Sequence, residues 1–229
     1  MVVAIDGPAA SGKSSTARWV AERLGYRHVD SGALYRAVTL VALRDSGDPA
    51  GWNDAVLRHV ASSVTLAPAP GGFEPLVGGA TVGEAIRSVE VTRHVSLVAQ
   101  SRAIRAWVND RVRAAGAVHD VVVDGRDIGT VVFPDAPLKV FLVADPWERA
   151  RRRLVQRLNR RPKDDEIAEE TELLVARDAH DATQTVQARD AVLLDTTFLT
   201  QAEQVDRIVA LARARERALA ADPGAEPTG

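Results

Sequence analysis

The sequence predicts an α/β fold in which helices cover both faces of a parallel sheet. Short, mostly apolar runs at residues 2–5, 121–123, 138–143 and 191–194 have the length and composition of buried strands. Longer stretches of helical spacing separate these runs, and such alternation is typical of parallel sheets. Ligands of these sheets bind at the carboxyl ends of the strands, so the polar residues that follow each run are candidate site residues.

Residues 7–14 read Gly-Pro-Ala-Ala-Ser-Gly-Lys-Ser and fit G-x-x-x-x-G-K-[ST], the phosphate-binding P-loop. A strand is predicted before the loop at 2–5 and a helix after it at 14–24, with Gly25 as its stop. Backbone N–H groups of such a loop turn toward phosphate oxygens, and the helix N-terminus adds positive potential. The alternative, a chance glycine-rich turn, leaves both flanks unexplained. We therefore expect a P-loop NTPase-type fold that binds a nucleoside triphosphate.

The P-loop supplies most of the predicted nucleotide contacts. Lys13 is expected to reach the β- and γ-phosphates as a catalytic residue, and the Ser14 hydroxyl to ligate Mg²⁺. Asp124 closes an apolar run as a Walker-B carboxylate does and is the second predicted metal ligand, with a purely structural carboxylate as the alternative. The predicted nucleotide-binding residues of the loop are Gly7, Pro8, Ala9, Ala10, Ser11, Gly12, Lys13, Ser14 and Ser15.

The segment after the first helix mixes helical and strand patterns. A strand at 26–30 leads into a helix that Asp30 or Ser31 caps and that runs to residue 43. Another helix is predicted at 53–61. Prolines and glycines then separate short runs between 64 and 82, which predicts a small antiparallel β insertion.

Helical spacing dominates the remainder of the chain. It begins at residue 84, and a longer helix is predicted from 91 to 115, with a break near Ser101 and a stop at Gly116. Further helices are predicted at 148–159, 164–178 and 201–221, the last capped by Thr200 or its neighbour. The tail at 222–229 contains proline and glycine and is predicted to be disordered.

Composition excludes several classes of protein. The 229 residues carry a net charge of −2, which argues against a globally basic nucleic-acid binder. Because the chain lacks cysteine, it has no disulfide framework, thiolate zinc site or cysteine nucleophile. Asp6 ends the first apolar run too early for a secretory signal, and no apolar stretch is long enough to span a bilayer. We therefore expect a cytoplasmic protein.

The helix predicted at 148–159 is dense in arginine. Seven arginines lie between residues 149 and 161, where like charges repel one another and favour an anionic partner. A solvated face or an RNA-binding stripe would produce the same run, but the aromatic residues on which bases stack are lacking. A mobile lid that closes over a triphosphate and excludes water explains the run better. The predicted nucleotide contacts of this lid are Arg152, Arg153 and Arg157.

The residues after Asp124 are also candidates for phosphate recognition. The guanidinium group of Arg126 matches phosphate oxygens in bidentate fashion. Asp127 either pairs with Arg126 or accepts a hydrogen bond from a base amino group. The P-loop and the strand ends at 30–31, 124–127 and 144–145 are expected to converge on one cleft.

Four segments together resemble the bacterial cytidylate kinases, which are nucleoside monophosphate kinases. They are 5–8, 30–36, 124–136 and 177–181, and the second and third are more specific than a P-loop. The resemblance extends over residues 2–211 and implies a single P-loop kinase domain at 1–221. Within it, a monophosphate-binding insert is implied at about 64–86 and a helical lid at about 148–175. The implied core comprises residues 1–63, 87–147 and 176–221.

The resemblance also implies an activity: ATP, with Mg²⁺, phosphorylates CMP or dCMP. It implies a monomer with no nucleic-acid or membrane partner. Arg126, Arg177 and Asp181 join Lys13 as implied catalytic residues. The implied acceptor-binding residues are Ser31, Tyr35, Arg36, Ser96, Arg105, Arg126, Asp127, Arg177 and Asp181.

Within this implied acceptor site, Arg36 and Arg126 hold the phosphate, and Ser31 lies near the sugar or base. Ser96, Arg105 and Asp127 read the cytosine edge, while Arg177 and Asp181 face the ribose hydroxyls and the transferring phosphate. Asp127 can accept from the cytosine amino group, whereas uracil would present O4 to the carboxylate with no proton between them.

The chain departs from the family pattern after Asp181. Gln184 occupies a position where a further phosphate-binding arginine is usual, and the segment 185–190 is shorter than usual. Arg189 could substitute, or the site could be weaker. Three alternatives stay open: a kinase of another acceptor such as UMP, AMP or shikimate, a nucleotide-binding homologue with weakened or lost activity, and an RNA-associated ATPase.

Overall fold

The computed structural model describes residues 1–221, and its backbone contacts divide the chain into two compact units. The first unit comprises Met1–Tyr26 together with the residues from Val122 onward, and the second comprises Arg27–Val121. The predicted disorder of residues 222–229 lies outside the described residues.

Strands and helices alternate along most of the described chain. The strands are β1 (Val2–Asp6), β2 (Arg27–Asp30), β3 (Val64–Ala69), β4 (Gly72–Val77), β5 (Ala80–Thr81), β6 (Val121–Gly125), β7 (Leu138–Val143) and β8 (Val192–Asp195). The α-helices are α1 (Lys13–Leu24), α2 (Ser31–Asp45), α3 (Asp54–Ala61), α4 (Val89–Gln100), α5 (Arg102–Val118), α6 (Pro146–Leu158), α7 (Asp164–Asp181) and α8 (Gln201–Ala221).

The first unit is built on strands in the order β6-β1-β7-β8, and β7 pairs in parallel with both β1 and β8. Successive residues of β1 and β6 are buried, as expected for strands covered on both faces. Ile5 and Leu142 pack with Val20 of α1 and Ile208 of α8 in the main apolar cluster of this unit. The α/β class and the strand–loop–helix arrangement at the P-loop are therefore confirmed.

The second unit contains strands in the order β3-β4-β2, with β5 paired to β4. The β3–β4 and β4–β5 pairs are antiparallel, which confirms the predicted β insertion. The sequence did not predict that β4 also pairs with β2, in parallel, through His28 and Gly72. A partner strand distant in sequence leaves no local pattern.

Short polar side chains cap the N-termini of helices in the second unit. Asp30 caps α2 by accepting from the backbone N–H of Ala33 at 3.0 Å. The predicted break at Ser101 is confirmed, because its hydroxyl accepts from the N–H of Ile104 at 3.2 Å and begins α5. The predicted stop at Gly116 is wrong, since α5 continues to Val118. A glycine inside a helix costs only about 1 kcal/mol, which buried neighbours offset.

Three other segments differ from the prediction. The helical spacing at residue 84 forms a 3₁₀ turn over Gly83–Arg87, and a new helix, α4, begins after it. α7 continues to Asp181, beyond the predicted end at residue 178. A π-helix at Ile128–Val132 was not predicted. Within residues 1–221, no helix combines the length and the apolar composition that a membrane span requires.

Candidate active site

The P-loop connects β1 to α1 and holds its lysine folded back over its own backbone. Gly7 has a φ of +153°, and a Cβ there would lie 2.3 Å from the carbonyl oxygen of Leu142, so only glycine fits. Lys13 begins α1, is buried, and donates from its ammonium group to the carbonyl of Pro8 at 2.9 Å. The charge of Lys13 is thus fixed beside the N-terminus of a helix, which is where such loops bind phosphate.

The two residues predicted to bind metal are in direct contact. Asp124 is buried at the end of β6, and the Ser14 hydroxyl donates to its carboxylate. A hydroxyl and a carboxylate are the oxygen ligands that Mg²⁺ prefers, so this pair fits the ion. Among the described residues, no group of three or more histidine and acidic side chains forms a metal cluster. Magnesium in nucleotide sites typically completes its shell with phosphate oxygens and water.

Side chains from α6 and α7 hold the P-loop from its other side. Asp178 accepts from the backbone N–H of Ala9 at 3.2 Å, and Arg149 donates to the carbonyl of Ala9 at 2.8 Å. The two side chains pair with each other at 2.6 Å, and Arg149 is only 4% exposed. Sequence reasoning missed this pair, because its members lie on different helices and each looks locally like an ordinary surface charge.

Arg126 and Arg177 face one carboxylate. Oδ2 of Asp181 lies 3.7 Å from Nε of Arg126 and 3.7 Å from Nε of Arg177, which are ion-pair distances too long for hydrogen bonds. Both Nε atoms are buried and lack a hydrogen-bond partner within the described residues. Burial, and then the charge of Arg126, lowers the pKa of Arg177. Two guanidinium groups around one carboxylate leave surplus positive charge and unsatisfied donors, an arrangement suited to a phosphate oxyanion.

The structure places three predicted acceptor residues on α2 in the second unit. Ser31 is buried at the first position of the helix, and Tyr35 and Arg36 follow one turn later. A guanidinium nitrogen of Arg36 donates to Thr92 Oγ1 at 2.9 Å and to the carbonyl of Ile86 at 3.3 Å. The position of Arg36 is therefore defined by contacts with the residues around the start of α4.

Ser96 and Arg105 lie on α4 and α5 of the same unit. Arg105 donates to the carbonyl of Ala99 at 3.3 Å, which holds its side chain against the last turn of α4. Asp127, predicted to read the same base, is buried in the first unit. Joint recognition of one base by these three residues stays a prediction, as does the convergence of all strand ends on one cleft.

The arginine-rich helix α6 has the anionic partners that its charge pattern favours, and they belong to this chain. Arg153 and Arg157 both pair with Glu170 of α7, at 3.0 Å and 3.1 Å. Arg152 pairs with Glu148 and donates to backbone carbonyls just after β8. The remaining pairs are Arg149–Asp178, Arg151–Glu148 and Arg160–Glu166. Nucleotide binding by Arg152, Arg153 and Arg157 stays a prediction.

The departure at Gln184 lies one turn beyond the Arg126–Asp181–Arg177 cluster. The backbone N–H groups of Gln184 and Thr185 both donate to the carbonyl of Asp181 at 3.0 Å. These bonds terminate α7 and fix the distance between Gln184 and the cluster. That Gln184 replaces an arginine usual in the family stays a prediction.

The family model described as cytidylate kinase matches residues 3–214 of this chain. The chain belongs to the cytidylate kinase family. A cytidylate kinase of Limosilactobacillus fermentum is 44% identical over 90% of this chain and 92% of its own length. One from Chlorobaculum tepidum is 41% identical over 90% of each chain, and one from Anoxybacillus flavithermus 42% identical over 93% of this chain and 96% of its own.

A shikimate kinase from Bacteroides thetaiotaomicron aligns over 93% of this chain and 98% of its own, with a TM-score of 0.49 and 14% identity. The assignment to the cytidylate kinase family rests on the sequence matches.

Proposed function

We propose that this protein transfers the γ-phosphoryl group of ATP to the 5′-phosphate of CMP and dCMP, giving ADP with CDP or dCDP. Membership of the cytidylate kinase family supports the proposal. The structural observation that supports it best is the buried cluster of Arg126, Arg177 and Asp181, whose two Nε–H donors are unsatisfied. Arg126 also donates to the carbonyl of Gly7 at 3.3 Å, so this oxyanion site adjoins the P-loop.

The reaction needs no general base from the protein. The acceptor phosphate has a second pKa near ~6, so at neutral pH it is largely a dianion and already nucleophilic. Catalysis then consists of positioning and of charge stabilisation. Lys13, Arg126 and Arg177 supply positive charge, and Asp181 orients the two arginines and faces the ribose hydroxyls.

Ser14 and Asp124 would hold the magnesium ion of this site. The ion, when bound, neutralises charge on the β- and γ-phosphate oxygens of ATP. The backbone of the P-loop and the side chain of Lys13 bind the same phosphates from the other side. Arg152, Arg153 and Arg157 are the proposed lid contacts, and they exchange carboxylate for phosphate partners when the lid closes.

Selection of cytosine is assigned to Asp127, Arg105 and Ser96. Asp127 accepts from the amino group of cytosine, and Arg105 donates to N3 or O2. Uracil presents an oxygen to the Asp127 carboxylate with no proton between them, which is the kind of mismatch that a hydrogen-bonding site rejects strongly. Ser31, Tyr35 and Arg36 bind the sugar and phosphate of the acceptor.

The remaining parts of the proposal concern the protein as a whole. It acts as a monomer in the cytoplasm, where ATP and nucleoside monophosphates are available, and binds neither nucleic acid nor membrane. The acceptor-binding insert comprises residues 64–86 and the lid residues 148–175.

Phosphorus NMR of the reaction mixture tests the proposal. The protein with ATP, Mg²⁺ and CMP is expected to give CDP and ADP in equal amounts. Arg126→Lys keeps a charge but loses the forked guanidinium, so kcat/KM for CMP should fall roughly ten- to a hundredfold. Arg113→Lys, at an exposed arginine of α5, is the matched control and should leave kcat/KM unchanged. ADP formed with inorganic phosphate and no CDP would contradict the proposal.

A further inference from the structure

Asp6 is a buried carboxylate that none of the roles above uses. It ends β1, immediately before the P-loop, and is 4% exposed. Oδ1 accepts from the backbone N–H of Ile128 at 2.8 Å, and Oδ2 accepts from that of Gly129 at 2.7 Å. Both oxygens of Asp6 are therefore occupied by one short segment that lies far away in the sequence.

That segment is the first turn of the π-helix Ile128–Val132. The leading N–H groups of a helix lack partners inside the helix, and Asp127, at its N-cap position, makes no side-chain cap. Asp6 supplies the missing acceptor from another strand. Hydrogen bonds from backbone N–H groups to a carboxylate are short and strong, so the start of this helix is tied firmly to the end of β1.

A second bond holds the residues just before this helix. The guanidinium of Arg126 donates to the carbonyl of Gly7 at 3.3 Å. Asp6 and Gly7 are adjacent. Gly7 binds Arg126 at one end of the segment 126–129, and Asp6 binds Gly129 at the other. Arg126 and Asp127, the residues assigned to the acceptor phosphate and base, lie within this span.

We propose that Asp6 is a positioning residue, which sets Arg126 and Asp127 in place for the acceptor by binding the N–H groups of Ile128 and Gly129. The inference rests on the proposed function only in naming the acceptor as a nucleoside monophosphate. Because Asp6 immediately precedes the P-loop, it also fixes the acceptor segment relative to the loop that binds the donor phosphates.

The packing around Gly129 supports this role. A Cβ at Gly129 would lie 3.4 Å from Oδ2 of Asp6, an ordinary contact distance, and 3.2 Å from side-chain carbons of Lys139, which is tighter than usual. Burial raises the pKa of Asp6 to about 6, and the negative charge of Asp127 adds to this shift. The two backbone N–H groups and the charge of Lys13 act in the opposite direction. A carboxylate in so buried a position is expected to bind hydrogen-bond donors, here two backbone N–H groups, that an apolar residue could not bind.

Asp6→Asn tests the proposal in the full chain. The variant keeps the shape and one acceptor oxygen but turns an NH₂ group toward a backbone donor. We expect KM for CMP to rise tenfold or more and the backbone amides of 126–129 to exchange faster with deuterium, while the Kd for ATP without CMP stays within about threefold. Asp48→Asn is the matched control, because Asp48 caps an exposed 3₁₀ turn by accepting from Ala50 at 2.9 Å.

Equal losses of ATP and CMP binding would assign Asp6 a general role in folding the P-loop and overturn the proposal, as would unchanged CMP kinetics. Gly129→Ala, which keeps both N–H donors but crowds the Lys139 side chain beside them, decides the matter if Asp6→Asn does not fold. A higher KM for CMP with unchanged ATP binding supports the proposal, and an unchanged KM overturns it. If the wild type does not phosphorylate CMP, the proposed function fails, and the exchange rates alone decide the role of Asp6.

Discussion

Asp6 shows how one buried carboxyl group couples stability to pH. Burial raises its pKa from 3.8 to about 6, so between these values the folded protein binds a proton that the unfolded chain has released. Protonation of Asp6 therefore stabilises the fold. This contribution is complete below pH 4 and is lost as the pH rises through about 6, which is opposite to the behaviour of a salt-bridged carboxylate.

The difference in unfolding free energy between the wild type and Asp6→Asn should depend on pH in that window. We expect the wild type to lose up to about 3 kcal/mol relative to the variant between pH 4 and pH 7, since each pKa unit corresponds to about 1.4 kcal/mol. Denaturant unfolding at several pH values measures it. Carboxylates that do not interact with Asp6 cancel in the difference, and a difference that does not vary with pH would contradict the assigned pKa.

Individual residues also show which contacts of the candidate site can be predicted from the sequence. The proximity of Ser14 to Asp124 was predictable, because the first belongs to a P-loop and the second ends a strand, and both are local features. The partnership of Arg149 with Asp178 was not, since it joins two helices and each residue alone resembles a surface charge. Asp6 was visible only as the residue that ends a strand, because its partners at 128 and 129 are backbone groups with no sequence signature.

At the scale of elements, the arginines of α6 illustrate how tertiary structure changes the meaning of a charge pattern. The run between 149 and 161 repels itself when considered as one helix. In the structure, α7 lies beside α6 and brings Glu166, Glu170 and Asp178 to it. The local pattern identified an unusual helix correctly but could not show that the next helix supplies carboxylate partners to several of its arginines.

Glu170 of α7 pairs with two arginines of α6 and is 5% exposed. Glu170→Gln keeps the shape but removes the charge that Arg153 and Arg157 share, leaving the partly buried Arg153 without a carboxylate. We expect the free energy of unfolding to fall by about 1–3 kcal/mol. Glu172→Gln, at an exposed position of the same helix, should change it by less than about 0.5 kcal/mol. Equal effects of the two substitutions in denaturant unfolding would contradict the assigned role of Glu170.

At the scale of the whole molecule, the sequence predicted the fold class because apolar runs and helical spacing alternate over nearly the entire chain. It predicted less about how strands associate. The parallel pairing of β4 with β2 joins an insertion to the first half of the chain, and the second unit, Arg27–Val121, extends well beyond the insertion on both sides. Boundaries of this kind are set by long-range contacts, which periodicity does not record.

The acceptor panel tests the central claim most directly. ADP release from ATP and Mg²⁺ is measured with CMP, dCMP, UMP, AMP, GMP and shikimate, each alone. We predict turnover greatest with CMP and dCMP, which would make Gln184 a tolerated replacement. Greater turnover with another acceptor, or none with any of them despite ATP binding, would contradict the claim that this protein is a kinase of cytidine monophosphates.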